Sequence, residues 1–217
     1  MGRHQSEGSV PDIERFLESL SSGEPIPGGG SVAALQTAMA ASLLCMVANL
    51  TVGRKRYANV EEQVKGIREE SSCLRDRAHT LIQEDSDAYG QVSQALGLPK
   101  QSDEEKAARQ EAVQLALKGA VDPPLTTMRV AVEVLRLAGE LAPIGNTSAA
   151  SDVGTAALCA RSGYASAALN VEINLQTIRD QEWVNAHRLQ VRDLADAEAL
   201  EQEVMERVKA IITGEGG

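Results

Sequence analysis

The chain has 217 residues, enough for one domain with a sizeable core or two small ones, and its 43 % apolar content excludes a disordered protein. A net charge of −10 argues against nucleic acid or an anionic membrane as partner, since both ask for a basic face. Three scattered cysteines without a CxxC (Cys45, Cys73, Cys159) and three unclustered histidines indicate a reducing, cytoplasmic setting with neither a disulfide nor a metal site.

In chain order, Met1–Ser9 is polar, lacks the apolar core of a signal peptide, and is expected to be a disordered tail. Pro11–Leu20 reads as a short amphipathic helix with proline in its first turn, followed by a loop over Ser21–Gly30. The stretch PGGGSVAALQTAMAASLLCMVANLTVGRKRY (Pro27–Tyr57) organises the rest. Gly28, Gly29 and Gly30 allow positive φ and close approach of a ligand or neighbour. Ser31 stands where an N-cap belongs. From Val32 to Leu50 the polar side chains are Gln36, Thr37, Ser42 and Asn49, so a buried helix is expected. By length the run matches a membrane span, but its alanine content and polar side chains favour a soluble core helix. Arg54, Lys55, Arg56 and Tyr57 close it, three adjacent cations in an acidic protein. Taken singly, each feature has a plain structural reading: a turn, a core helix, and dipole compensation at a helix end.

Asn59–Leu96 carries a heptad seam: Val60, Val64, Ile67, Ser71, Leu74, Ala78, Leu81, Asp85, Ala88, Val92 and Ala95. Asp85 occupies a seam position where an aliphatic residue belongs, and a carboxylate is rarely buried without a partner or a purpose. Pairing with a buried cation, capping a neighbouring helix, and chemistry are the three readings. Tyr89 lies one turn on, on the same face. Gly97–Pro99 ends this helix. Asp103–Gly119 is a third periodic segment, and Asp122-Pro-Pro opens a fourth with Leu125, Met128, Val132, Leu135 and Leu141 inward. After a loop at Ala142–Ala150, a helix starts at Ser151 or Asp152 and runs to Thr177. Its face of Asp152, Ala156, Gly163, Ala167, Asn170 and Asn174 mixes tiny residues with amides that either finish a neighbouring helix end or touch a ligand. Asp152 and Asn170 are ~27 Å apart along the axis, so a site using both needs an extended ligand or a second subunit. Gln181–Ile212 is the last helix. No strand pattern exists, and the whole reads as one all-α domain over residues 10–217, a bundle of about seven helices.

The motifs PGGGS (Pro27–Ser31), MVANLT-GRKRY (Met46–Tyr57), EDSDAY (Glu84–Tyr89) and LP (Leu98–Pro99) come in an order that resembles the cyclodeaminase/cyclohydrolase family of folate one-carbon metabolism. GN at Gly145–Asn146, SD-G-AAL at Ser151–Leu158 and LNV-INL at Leu169–Leu175 extend the resemblance over roughly Pro11–Asp180. It implies either hydrolysis of 5,10-methenyltetrahydrofolate to 10-formyltetrahydrofolate, or cyclodeamination of formiminotetrahydrofolate with release of ammonia. The absence of a formiminotransferase half tilts the choice toward the cyclohydrolase. Neither reaction asks for a metal or a cofactor beyond the folate itself. Asp85 is the first candidate for proton transfer and Lys55 the second. Arg54 and Arg56 suit the carboxylates of a polyglutamate tail, and the Gly28–Ser31 turn offers backbone amides. Asn49, Asn146, Asp152, Asn170 and Asn174 are carried over from the motifs as contacts to the pterin edge, with Tyr57 and Tyr89 as the aromatic surfaces. The resemblance also implies a homodimer or larger assembly, with the small-residue helix faces as its interface. The competing class is a non-enzymatic helical oligomerisation module. It explains the seam and the alanine helix but leaves Asp85 and the GRKRY cluster without a task, and binding of a reduced folate separates the two.

Overall fold

The heptad seam becomes the longest helix. In the computed structural model, which describes residues 10–214 with side chains from residue 13, α3 spans Glu61–Leu96. Its buried residues are Val64, Ile67, Ser71, Ala78, Leu81, Val92 and Ala95, every one a seam position. Around it stand α1 (Val10–Leu20), α2 (Gly29–Thr51), α4 (Asp103–Gly119), α5 (Asp122–Leu141), α6 (Ala150–Thr177), α7 (Gln181–Arg192) and α8 (Ala197–Thr213). Two 3-10 turns, Lys55–Tyr57 and Thr147–Ala149, finish the list, and no strand occurs among the described residues. The tail expected at Met1–Ser9 lies outside the described residues.

Helix ends follow local chemistry. Ser102 and Glu105 form a reciprocal capping box at the start of α4, with the Ser102 side chain accepting from the Glu105 amide. Pro123 and Pro124 sit in the first turn of α5, where a missing N–H costs nothing. The carboxylate of Asp180 accepts from the Trp183 amide to start α7. One expectation is corrected here. The final helix is two, separated by a turn at Asp193–Asp196 that contains no glycine or proline. Two aspartates, poor interior helix formers, flank the break, and Leu194 packs from it against both core clusters.

The centre of the bundle is α2, packed against α3 on one side and α6 on the other, with α5 behind and α8 closing over α5 and α6. Close approach comes from size: Ala33, Ala34, Ala40, Ala41 and Ala48 on α2 are buried, as are Ala156, Ala157, Ala160 and Ala167 on α6. At Gly163 a Cβ would overlap the Thr37 hydroxyl and lie 2.9 Å from the Ala33 carbonyl. The small-residue faces expected to meet a second subunit are therefore filled within the chain, by each other. α2 is also not buried all round. Met39, Met46 and Leu50 are 45 %, 38 % and 38 % exposed, and 61 % of the most apolar window of this span-length helix lies inside the fold.

Candidate active site

The glycine run sets where α2 begins. Gly28 is the N-cap, extended at φ −127°, and the helix starts at Gly29, so Ser31 is the third helical residue rather than the cap. None of the three glycines has positive φ; among the described residues only Gly53 and Gly214 do. What the run provides is close approach. A Cβ at Gly30 would overlap the carboxylate of Asp85, and one at Gly29 would lie 3.4 Å from Nδ2 of Asn170. Side chains from α3 and α6 thereby converge on the first turn of α2.

Asp85 sits across this turn. The Ser31 hydroxyl donates to its Oδ2 at 3.0 Å and also lies 3.3 Å from the Ile82 carbonyl and from Ser86 Oγ. Burial pushes the Asp85 carboxyl above its ordinary value, and hydrogen bonds from the Ser31 side chain and backbone offset part of that rise. Its neighbours in the motif differ: Glu84 is held bidentately by Arg77 at 2.5 and 3.0 Å, and Asp87 accepts from Gln83. Asp85 has no ion pair among the described residues. Of the three readings of a seam carboxylate, the buried salt bridge is thus excluded. Capping a neighbouring helix is realised in part: the carboxylate accepts from the Ser31 hydroxyl in the first turn of α2, at the positive end of its dipole.

The same carboxylate faces a cavity of about 320 Å³ bounded by Gly28–Gly30, Asp85 and Tyr89 on one side and Asn170 and Asn174 on the other. Asn174 donates to the carbonyl of Ala120 at the end of α4 (2.8 Å), and Asn170 to Ser166 of its own helix (2.8 Å). Both bonds use the amide nitrogen, and neither Oδ1 has a partner among the described residues. Tyr89 is 45 % exposed at the mouth. A larger concavity of about 650 Å³ runs beside α2, but its walls are mainly apolar (Leu35, Met39, Leu43, Met46). The smaller cavity is the candidate site, because polar groups and a carboxylate of raised pKa meet there.

The remaining sequence candidates gather at the opposite end of α2, ~33 Å away by its 23 residues. Asn49 is exposed in its last turn, and Arg54, Lys55 and Arg56 are exposed beyond it. Asn146 is structural: its backbone N–H donates to Thr51 Oγ1, its amide to the Leu50 carbonyl, and its Oδ1 accepts from Ser148. The hydroxyl of Tyr57 accepts from the Thr147 amide (3.1 Å), and hydrogen bonding with the Thr147 side chain and then its backbone lowers its pKa. Asp152 lies in the first turn of α6. Within one chain, Lys55, Arg54, Arg56, Tyr57, Asn49, Asn146 and Asp152 do not share a site with Asp85.

Wall residues that were not site candidates complete the cavity. Ala88 and Val92 follow from the α3 seam, and Ile173 and Thr177 from the spacing of Asn170 and Asn174. Leu117, Ala120 and the Pro25–Ile26 segment come from elements whose approach is tertiary, and no local pattern announces it.

Fold and cavity together define an all-α protein that holds a buried, unpaired carboxylate at a helix N-terminus between facing helices. The family model described as Formiminotransferase-cyclodeaminase matches residues 12–193. Methenyltetrahydrofolate cyclohydrolase of Methylorubrum extorquens is 44 % identical over 91 % of this chain and 96 % of its own length. Formimidoyltransferase-cyclodeaminase of Sus scrofa is 30 % identical over 91 % of the chain, which spans only 37 % of that longer protein. The solved structure of formiminotetrahydrofolate cyclodeaminase from Thermotoga maritima matches with a TM-score of 0.82 and 30 % identity, covering 92 % of this chain and 96 % of that one. The chain belongs to the formiminotransferase-cyclodeaminase family.

Proposed function

We propose that the protein hydrolyses 5,10-methenyltetrahydrofolate to 10-formyltetrahydrofolate. The observation that carries the chemistry is Asp85: a carboxylate without a cation partner, raised in pKa, facing a cavity between two asparagine amides. A water placed over the methenyl carbon gives a proton to Asp85 as its oxygen forms the new C–O bond, leaving a neutral tetrahedral carbinolamine. The protonated carboxyl then returns that proton to N5 as the C–N5 bond breaks, and the hydroxyl proton passes to solvent as the formyl C=O forms. One water is consumed and one proton released. A carboxyl whose pKa lies above the usual range suits both halves of this transfer. Before attack, its charge also opposes the cationic methenyl bridge. The free Oδ1 atoms of Asn170 and Asn174 are acceptors for N–H groups of the pterin edge. The near end-to-end similarity to the Methylorubrum cyclohydrolase favours this reading.

The Thermotoga cyclodeaminase supports a second reading on the same scaffold, in which N10 attacks the formimino carbon and protonated Asp85 supplies the proton that leaves with ammonia. Parallel assays decide. Loss of methenyltetrahydrofolate absorbance faster than the buffer rate, with no ammonia formed from 5-formiminotetrahydrofolate, is the expected result; the opposite pattern replaces the first reading by the second.

The protein is further proposed to act as a homodimer. The second copy would cover the exposed stripe of α2, since the small-residue faces are already filled.

A further inference from the structure

Asp85 is reached from two sides. In front of it lies the candidate cavity, and a folate seated there separates the carboxyl from the cavity mouth. Behind it, Ser31 is fully buried and donates to Asp85 Oδ2 at 3.0 Å. The Ser31 hydroxyl lies 3.3 Å from Ser86 Oγ, and the Ser86 hydroxyl is itself 3.3 Å from the Ile82 carbonyl one turn earlier. Ser86 is half-buried and lines a second concavity of about 290 Å³ between α1 and α3, with Arg15, Phe16 and Gln83 on its walls. The two concavities have no lining residue in common. Asp85, Ser31 and Ser86 thus form an unbroken series of oxygens from the candidate site, past the first turn of α2, to solvent on the α1 side. For hydrogen bonding alone the Ile82 carbonyl satisfies either hydroxyl. Their mutual contact and the carboxyl add a path through three groups that can each accept and donate a proton.

We propose that Ser31 and Ser86 carry the proton released in each turnover from Asp85 to solvent in the α1-side concavity. The inference rests on the cyclohydrolase reading, in which N5 takes the first proton from Asp85 and the carbinolamine hydroxyl proton remains to be removed. As the formyl C=O forms, that proton passes to the Asp85 carboxylate. Oδ2 hands it to Ser31 Oγ, Ser31 gives its own hydroxyl proton to Ser86 Oγ, and Ser86 gives its own to water. Each hydroxyl gains one proton and loses one, the carboxylate is restored, and one proton leaves. The path runs behind the folate, so it stays open while product still occupies the cavity.

Ser86→Thr and Ser86→Val test this, because the two β-branched side chains have nearly one shape and only threonine keeps the hydroxyl. Both are compared with wild type in single turnovers of methenyltetrahydrofolate in weak buffer. Loss of substrate absorbance and the signal of a pH-indicator dye are followed together. In wild type and Ser86→Thr, proton release should keep pace with absorbance loss. In Ser86→Val it should fall behind by at least about tenfold, a modest share of what a proton-transfer group contributes, and follow product dissociation instead. Proton release in Ser86→Val that keeps pace with absorbance loss, or an equal lag in Ser86→Thr, overturns the relay and leaves the cyclohydrolase reading intact. A wild type that does not turn over methenyltetrahydrofolate removes that reading and the relay with it.

Discussion

Asp85 combines two roles that the seam position alone leaves open. One oxygen finishes α2 through Ser31, and the group as a whole borders the cavity. Asp85→Asn keeps an acceptor for the Ser31 hydroxyl and removes the titrating proton, so turnover should fall at least ~100-fold, the lower end of general acid–base effects. Stability carries an independent sign. The native carboxyl has a pKa above its ordinary 3.8, so between the unfolded and native values the folded state binds more protons. Its contribution to stability is complete below the unfolded pKa and declines as pH rises through the native one. Asp85→Asn lacks this term. Its melting temperature should match wild type at pH values below 3.8 and exceed it once pH has risen through the native pKa. A variant that is less stable than wild type at neutral pH would mean that the charge at the α2 N-terminus stabilises the fold more than its desolvation costs.

Between elements, the decisive quantity is how closely backbones approach, and glycines report it. Gly163→Ala puts a methyl onto Thr37 Oγ1 and 2.9 Å from the backbone oxygen of Ala33. The neighbour on one side is a short buried side chain and on the other a helix backbone, so neither yields easily. A loss of about 1–3 kcal/mol in denaturant unfolding is expected, without any change in association state, since this contact is internal. Gly66→Ala on α3 is the contrast: nothing lies within 4 Å of the new methyl, and a gain of up to ~1 kcal/mol follows from helix propensity alone. These contacts also mark what the sequence makes legible. The seam of α3, the proline start of α5 and the amide-bearing face of α6 were all readable, because helical period and turn chemistry are local. Ser31 was readable as a helix-start residue, but its bond to Asp85 joins positions 54 residues apart, which no local pattern encodes. The separation of GRKRY from PGGGS was legible after all: helical rise puts the two ends of an uncharged 23-residue helix ~33 Å apart. The motif match gathered residues by family, not by distance.

For the molecule as a whole, the exposed apolar side of α2 calls for a cover. This helix has no charged residue, yet Met39, Met46 and Leu50 face outward on it, and Leu158, Leu169 and Ile173 do so on neighbouring α6 at 51 %, 73 % and 63 % exposure. A large exposed apolar area is uncommon on a soluble monomer. The stripe of α2 alone, ~33 Å long and ~10 Å wide, offers less than half of the roughly 800 Å² per partner of a stable interface. In the proposed homodimer a second copy would therefore have to rest on α6 and α3 as well, across the groove lined by Leu35, Met39, Leu43 and Met46. Met39→Glu with Met46→Lys places charges along the middle of that groove and should convert a dimer into a monomer in sedimentation at micromolar concentration. Leu115→Glu is the matched control, because Leu115 is 73 % exposed on α4, away from the stripe. It should leave the assembly intact. A wild type that sediments as a monomer, or an assembly indifferent to the Met39 and Met46 changes, removes the homodimer. If that wild-type monomer instead floats with phosphatidylcholine vesicles and the double variant does not, the face belongs to a bilayer surface rather than to a second copy.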